Sequence, residues 1–211
     1  MYVPGVPRAK GTRLVIELDI VTPVTRPHLL GQIGMGMKAA SHYFDVFWYK
    51  IHDCKVGGCK DIPVSCIHGV PGPEGDAGWT QRNWHLDHGR EKAWVYWHDD
   101  DTIVHPDLFQ DLHDTIIANP DLQAIVYAMK YVHLPNQPVM VGDPKNVQIG
   151  SISGSMVIFR RDFVGTHRAY TERMADGMFW QKVMRNADPA RVLWTDKPYI
   201  LFNSLNPGKP E

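Results

Sequence analysis

Three consecutive carboxylates, Asp99 to Asp101, follow a run of aromatic and branched residues in the stretch WVYWHDDDTIVHP. Like charges placed side by side repel one another, so they must be hydrated or paired. Hard divalent cations such as Mg²⁺ and Mn²⁺ prefer such oxygen ligands, and with few protein carboxylates they keep positions open for phosphate oxygens. A hydrated acidic turn, or capping of the helix that Pro106 begins, is the alternative that these residues leave open.

The elements that must position these carboxylates alternate between strand and helix. Strands are predicted at 13–21, 45–51, 93–97, 122–132, 153–164 and within 191–202. Helices are predicted after Pro27, at 80–93, after Pro106 and at 176–187, with loops at 54–80 and 135–150. Such alternation is typical of an α/β/α sandwich with a mostly parallel central sheet. Ligands of these sheets bind beyond the carboxyl ends of the strands, where the polar stretches 22–26, 52–53 and 99–101 are expected to meet.

Composition excludes several classes of protein. A net charge of -1 over 211 residues argues against general nucleic-acid binding, which needs a basic surplus. The three cysteines, Cys54, Cys59 and Cys66, are an odd number without a CxxC pair, which disfavours a disulfide framework and a structural zinc site. No apolar run approaches the roughly 20 residues of a membrane helix. We therefore expect a soluble cytoplasmic protein with reduced thiols.

Several motifs, in order along the chain, resemble those of one enzyme family. WVYWHDDDTIVHPDLF resembles the strand, DxD turn and helix of GT-A glycosyltransferases, including inverting family 2 and glucuronyltransferase-type enzymes. TQRNWHLDH, VTPVTRPHLL, SGSMVIFRRDF and MADGMFWQKV resemble further segments of the same enzymes. VLWTDKP is similar to a late loop of the proteoglycan-linker glucuronyltransferases, which have His where this chain has Thr195. The resemblance covers roughly residues 13 to 200, and it extends to glycosyltransferase domains of large algal (chlorella) viruses.

The resemblance implies a GT-A fold and a metal-dependent transfer of a hexose from a nucleotide diphosphate sugar, most simply a UDP-sugar, to a hydroxyl of a glycan or glycoprotein. It implies that Asp101 binds Mn²⁺ or Mg²⁺ and that Asp176 is the catalytic base of an inverting reaction, with Glu172 as the second candidate base. The residues that it places around the nucleotide are Thr22, Pro23, Thr25, Arg26, Asp53, Arg82, Asp99 and Asp100. The alternative for Arg82 is a surface charge or a salt bridge, and the alternative for Asp176 is the N-cap of a helix.

The whole chain, residues 1–211, is predicted to be one domain, either a whole protein or the catalytic piece of a longer one. Residues 1–105 would form its nucleotide-binding half and residues 106–211 its acceptor half. Two other functions stay open at this point: a sugar-nucleotide nucleotidyltransferase, and a non-catalytic carbohydrate-binding module of the same fold.

Overall fold

A computed structural model describes residues 15–52, 70, 72, 78–133, 139–148, 150–169, 175–202 and 204–205. Asp53 and Glu172, which have predicted roles, and the three cysteines, which are predicted to be reduced, lie outside these residues.

Six strands form the main sheet. In chain order they are β1 (Glu17–Val24), β2 (Asp45–His52), β3 (Trp94–Trp97), β5 (Ala124–Val126), β7 (Val157–Arg160) and β8 (Val192–Trp194). Their order in the sheet is β2-β1-β3-β7-β5-β8. The pairs β1–β2, β1–β3 and β5–β8 are parallel, whereas β7 runs antiparallel to both of its neighbours. The predicted mostly parallel central sheet is therefore confirmed.

A smaller sheet lies beside the main one. It contains β4 (Ile103–Val104), β9 (Ile200–Phe202) and β6 (Met129–Tyr131), in the order β4-β9-β6. Strand β9 pairs antiparallel with β4 and parallel with β6. This sheet brings the last described part of the chain against the acidic turn, because the backbone N–H of Leu205 donates to the carbonyl of Asp101 at 3.1 Å.

Helices cover both faces of the main sheet. They are α1 (Leu30–Ala40), α2 (Trp79–His88), α3 (Leu108–Ala118) and α4 (Ala175–Arg185). Side chains alternate between the two faces of a strand. Asp19 of β1 meets His85 of α2 at 2.9 Å, whereas the Thr22 hydroxyl, on the opposite face, accepts from Trp48, which packs against α1 at Gly34. The three layers of the predicted sandwich follow from this alternation.

An aromatic cluster fixes α2 and α4 against β3. The ring of Trp97, on β3, lies 5.2 Å from that of Trp79 on α2, 5.3 Å from Phe179 and 5.5 Å from Trp180 on α4, between ring centroids. Phe159 of β7 completes the cluster at 5.0 Å from Trp97. Aromatic pairs at these separations stabilise the fold beyond the area that they bury. The strand that carries the acidic turn is therefore held rigidly from behind.

Some predicted boundaries were wrong. Strand β1 continues through Pro23 to Val24, beyond the predicted end at residue 21, because β3 pairs with it only as far as Val21 and so leaves that side of Pro23 without a neighbouring strand. The single strand predicted at 122–132 is two strands in two sheets. In the segment 153–164 only β7 is strand, between two 3₁₀ turns. Within the described residues no helix has the length and apolar character needed to cross a membrane.

Candidate active site

The acidic turn lies beyond the carboxyl end of β3, as predicted. Strand β3 pairs with β1 up to Trp97, and the next residue, His98, still donates its backbone N–H to the carbonyl of Val21 at 2.9 Å. The chain then turns, with the N–H of Thr102 donating to the carbonyl of Asp99 at 3.2 Å. The three carboxylates in this turn reach three different groups of partners.

The carboxylate of Asp100 holds the loop that follows β1. It is 3% exposed, and one of its oxygens accepts from the backbone N–H groups of Thr25 and Arg26, at 2.7 and 2.6 Å, and from the Thr25 hydroxyl at 2.9 Å. Its other oxygen accepts from the Arg26 guanidinium. The resemblance implied that Asp100 borders the nucleotide, but its oxygens are directed at these protein donors. Asp100 therefore contributes to the cavity by holding Thr25 and Arg26 in place.

Asp99 is paired with a buried arginine. The Arg82 guanidinium forms an ion pair with the Asp99 carboxylate and lies 5.0 Å from the ring centroid of Trp79 and 5.9 Å from that of Trp97. Aromatic faces attract a cation in this geometry. Burial raises the pKa of Asp99 to about 6; Arg82 opposes the shift, and the charges of Asp176 and the other two aspartates add to it. The salt bridge left open for Arg82 is thus present, at the edge of the cavity.

Asp101 faces the cavity beside Arg26. Its side chain is 6% exposed, and one carboxylate oxygen lies 3.0 Å from the Arg26 guanidinium, which also contacts Asp100. Arg26 is 34% exposed and bridges the last two carboxylates of the turn. The loop after β1 and the turn after β3 are therefore joined by one guanidinium.

A cavity of about 360 Å³ opens above these groups. Both halves of the chain contribute to it, and its lining residues are Pro23, Thr25, Arg26, Gly78, Arg82, Asp99, Asp100, Asp101, Ser153, Asp176 and Phe202. Eight of the ten site residues predicted from the sequence are among them. Thr22 is not, because it is fully buried with its hydroxyl accepting from the Trp48 indole N–H at 2.9 Å. Asp53 lies outside the described residues.

Asp176 lies across the cavity, in the first turn of α4. One of its carboxylate oxygens, Oδ2, accepts from the backbone N–H of Gly154 at 2.8 Å and from the Ser153 hydroxyl at 3.3 Å. Helix α4 begins at Ala175, so Asp176 lies inside the helix and its contacts are to another segment, unlike those of an N-cap. In the described part of the chain no hydrogen bond reaches its second oxygen, Oδ1.

Three lining residues were not predicted: Gly78, Ser153 and Phe202. Gly78 has a φ of 80°, and a Cβ there would lie 2.5 Å from Cβ of Pro23, so only glycine fits beside the end of β1. The Gly-rich stretch before Trp79 was a signal for Gly78, and the SGSM motif was one for Ser153. Nothing in the local sequence distinguishes Phe202, whose place depends on the pairing of β9 with β6.

The carboxylate oxygens at the cavity suit a hard cation that the protein would coordinate only in part. Asp101 offers carboxylate oxygen to the cavity, which suits Mg²⁺ or Mn²⁺ and does not suit a soft metal. Across the described ranges, no group of three or more His, Cys, Asp or Glu side chains is arranged to hold a metal ion. A cation here would therefore take most of its ligands from water and from a bound phosphate.

Several solved structures have folds similar to that of this chain. S. aureus TarS, residues 1–349, superimposes with a TM-score of 0.65 at 14% identity, over 88% of this chain and 60% of that one. A mannosyltransferase from Pyrobaculum calidifontis, in complex with GDP-mannose and Mn²⁺, gives 0.57 at 12% identity, over 87% and 56%. Glucosyl-3-phosphoglycerate synthase from Mycobacterium tuberculosis, with Mn²⁺, UDP and glucosyl-3-phosphoglycerate, gives 0.56 at 10% identity, over 88% and 71%.

These likenesses show the fold: the chain has the GT-A fold that the sequence motifs implied. A Bacillus anthracis protein described as a glucose-1-phosphate thymidylyltransferase is also similar, with a TM-score of 0.50 at 10% identity over 88% of each chain. The chain spans 60% or less of the TarS and mannosyltransferase chains. No protein-family model matches the sequence, and no curated protein does. The suggested viral origin stays a prediction.

Proposed function

We propose that this chain is a metal-dependent glycosyltransferase that moves a hexose from a nucleotide diphosphate sugar, preferentially a UDP-sugar, to a hydroxyl of a glycan or glycoprotein, with inversion. The observation that supports this proposal most strongly is the arrangement of charged side chains on opposite sides of one cavity. Arginines and the acidic turn line one side, and a single carboxylate, Asp176, stands on the other side with one oxygen unengaged in the described part of the chain.

The donor side suits a diphosphate. Arg26 lies there with part of its side chain exposed, and a planar guanidinium binds phosphate oxygens in pairs. Arg82, held over two indole rings, orients Asp99, whose carboxylate is the proposed acceptor for a ribose hydroxyl. Asp101 would hold the Mn²⁺ or Mg²⁺, and a bound cation of this kind offsets the charge that develops on a departing diphosphate. Complexes of the mannosyltransferase and the synthase with Mn²⁺ and a nucleotide support this assignment.

The acceptor side suits proton removal. The N–H of Gly154 and the hydroxyl of Ser153 hold Asp176 through Oδ2, which directs Oδ1 to the cavity as the proposed site of proton transfer. As the acceptor hydroxyl gives its proton to Oδ1, its oxygen attacks the anomeric carbon from the face opposite the diphosphate, whose bond to that carbon breaks. This order of groups across the cavity favours inversion.

The likeness to the Bacillus anthracis structure keeps nucleotidyl transfer as the second candidate function. The products distinguish the two reactions. A glycosyltransferase releases a nucleoside diphosphate from the nucleotide sugar, whereas a nucleotidyltransferase exchanges the nucleotide sugar with pyrophosphate. The third candidate, a carbohydrate-binding module, would release neither product.

The first experiment is a panel of nucleotide sugars with added Mn²⁺, followed by thermal unfolding, because a bound ligand raises the melting temperature by mass action. The preferred donor is then incubated with and without pyrophosphate, and free UDP and nucleoside triphosphate are quantified. Release of UDP, accelerated by a glycan acceptor, supports the proposal. Nucleoside triphosphate formed only with pyrophosphate, or an absence of stabilisation by every donor, contradicts it.

A further inference from the structure

The Arg26 guanidinium lies against the carboxylate that the proposed function assigns to the metal. It is 3.0 Å from Oδ2 of Asp101 and also pairs with Asp100. We infer that Arg26 and the divalent cation compete for Asp101, and that cation binding transfers the guanidinium from this carboxylate to the diphosphate of the donor. The inference rests on the proposed function and adds to it a residue that couples metal binding to donor binding.

Competition follows from charge and space. A cation coordinated to Oδ2 of Asp101 would stand within a few ångströms of a guanidinium that already contacts the same oxygen. Two positive groups this close repel strongly in a partly buried site. They can share the turn only when negative oxygens come between them, and a diphosphate supplies such oxygens.

The geometry lets the side chain of Arg26 move while its backbone stays in place. Asp100 accepts from the backbone N–H groups of Thr25 and Arg26, and these two bonds do not depend on the guanidinium. The Arg26 side chain is 34% exposed, whereas those of Asp100 and Asp101 are 3% and 6% exposed. A long, partly exposed side chain loses little when it exchanges one anionic partner for another. The carboxylates stay fixed, and the guanidinium is the part that can be displaced.

Two affinities should therefore change in opposite directions when the guanidinium is removed. In Arg26→Ala, Mn²⁺ should bind about tenfold more tightly in the absence of nucleotide, since its competitor is gone. UDP in saturating Mn²⁺ should bind about tenfold more weakly, since the diphosphate has lost its partner. A loop that was merely damaged would weaken both affinities together.

Electron paramagnetic resonance of free Mn²⁺ measures the first affinity, and calorimetric titration of UDP measures the second. Arg160→Ala is the matched control, because Arg160 is 30% exposed, pairs with Asp162, and does not line this cavity. Arg26→Lys keeps the positive charge but loses the paired N–H groups of the guanidinium. We expect its affinity for Mn²⁺ to lie between those of the wild type and Arg26→Ala. Equal thermal unfolding of all four proteins shows that the loop survives.

Unchanged or weaker Mn²⁺ binding by Arg26→Ala would overturn the inference, and so would UDP affinity equal to that of the wild type. Failure of both the wild type and Arg26→Ala to bind Mn²⁺, with UDP still bound, would overturn the inference together with the metal dependence of the proposed function. Absence of UDP binding to any variant is a different result, since it contradicts the proposed function itself.

Discussion

At the scale of the residue, three adjacent aspartates of identical chemistry have different environments. Asp100 is saturated by donors of the loop after β1, Asp99 is paired with a buried guanidinium, and Asp101 shares Arg26 and faces the cavity. Position in the turn, rather than residue type, produces this division. A substitution in the turn should therefore have an effect that depends on which aspartate is changed.

Replacing Asp101 by alanine should remove the Mn²⁺ dependence of UDP binding. The variant loses the carboxylate proposed to hold the cation, whereas Asp100 still fixes the neighbouring loop. We expect thermal stabilisation by UDP to become the same with and without Mn²⁺, and turnover to be abolished. Asp107→Ala, which removes an exposed carboxylate nearby, is the control. Mn²⁺-dependent stabilisation that persists in Asp101→Ala would show that the cation is held elsewhere.

Replacing Asp176 by asparagine should separate donor binding from transfer. The amide keeps the shape of the carboxylate but cannot take a proton, and a general base contributes about 10²- to 10⁴-fold to a rate. We expect kcat to fall by about that factor while UDP affinity stays at the wild-type value. Asp114→Asn, on the exposed surface of α3, is the control. Transfer at the wild-type rate by Asp176→Asn would assign the base to another residue.

At the scale of the element, the sequence predicted the strands that are buried on both faces. Apolar residues dominate β1 and aromatic or apolar residues make up β3, and the polar residues that follow each strand mark where the sheet stops. The run at 122–132 was predicted as one strand because apolar residues dominate it, although it contains Gln123 and Lys130. Hydrophobicity cannot show that the chain leaves one sheet at Tyr127 and joins another at Met129, since that change depends on distant partners, β8 and β9.

The candidate site was predictable to the extent that its residues follow strand ends. Strand ends are local features, and the acidic turn was found from them alone. Thr22 also ends a buried stretch, but side-chain alternation directs it to the α1 face of the sheet. There its hydroxyl oxygen accepts a hydrogen bond from the indole N–H of Trp48. Phe202 enters the cavity through a pairing between segments about seventy residues apart, which no local pattern encodes. Asp176 was found through its motif, whereas its contact with Gly154 required the fold.

The connection into α2 offers a test of how closely elements pack around the cavity. Gly78 precedes α2 with a φ of 80°, and an added Cβ would lie 2.5 Å from Pro23. Gly78→Ala should lower the free energy of unfolding by about 1–3 kcal/mol through backbone strain and this collision, and should weaken UDP binding. Gly31→Ala in α1, where no described atom beyond the chain neighbours and the backbone of the same helix lies within 4 Å of the new methyl, should stabilise the protein by about 0.5–1 kcal/mol. Chemical denaturation measures both changes, and equal stabilities of the two variants would contradict the packing.

At the scale of the whole molecule, the cavity lies where the two predicted halves of the chain meet. The main sheet joins them through the antiparallel pair β3–β7, with β1 and β2 on one side and β5 and β8 on the other. The acidic turn and both arginines belong to residues 1–105, and Ser153, Asp176 and Phe202 belong to residues 106–211. Division into a donor half and an acceptor half remains a proposal, and the distribution of lining residues supports it.

The stability of the whole fold should depend on pH through a buried histidine. His98 is fully buried, neither of its ring nitrogens has a hydrogen-bond partner within the described structure, and burial lowers its pKa from 6.5 to about 4. The unfolded chain therefore binds a proton at a higher pH than the folded chain does. Stability from the neutral ring is complete above pH 6.5 and is lost as the pH falls towards 4. Asp99, with its pKa raised to about 6, shifts stability in the opposite direction, so the wild-type profile contains both effects.

Comparison with His98→Leu isolates the contribution of the histidine. Leucine fills a similar volume, has no proton to bind, and leaves no buried nitrogen without a partner. Between pH 6.5 and pH 4 the free energy of unfolding of the wild type should fall by about 3 kcal/mol more than that of His98→Leu, which is the value of the pKa difference. Urea denaturation at several pH values, without added metal, measures both profiles. His28→Gln, which removes an exposed histidine, is the control. Parallel pH profiles for the wild type and His98→Leu would contradict this prediction. They would mean that water or a polar group reaches the imidazole of His98 in the folded protein.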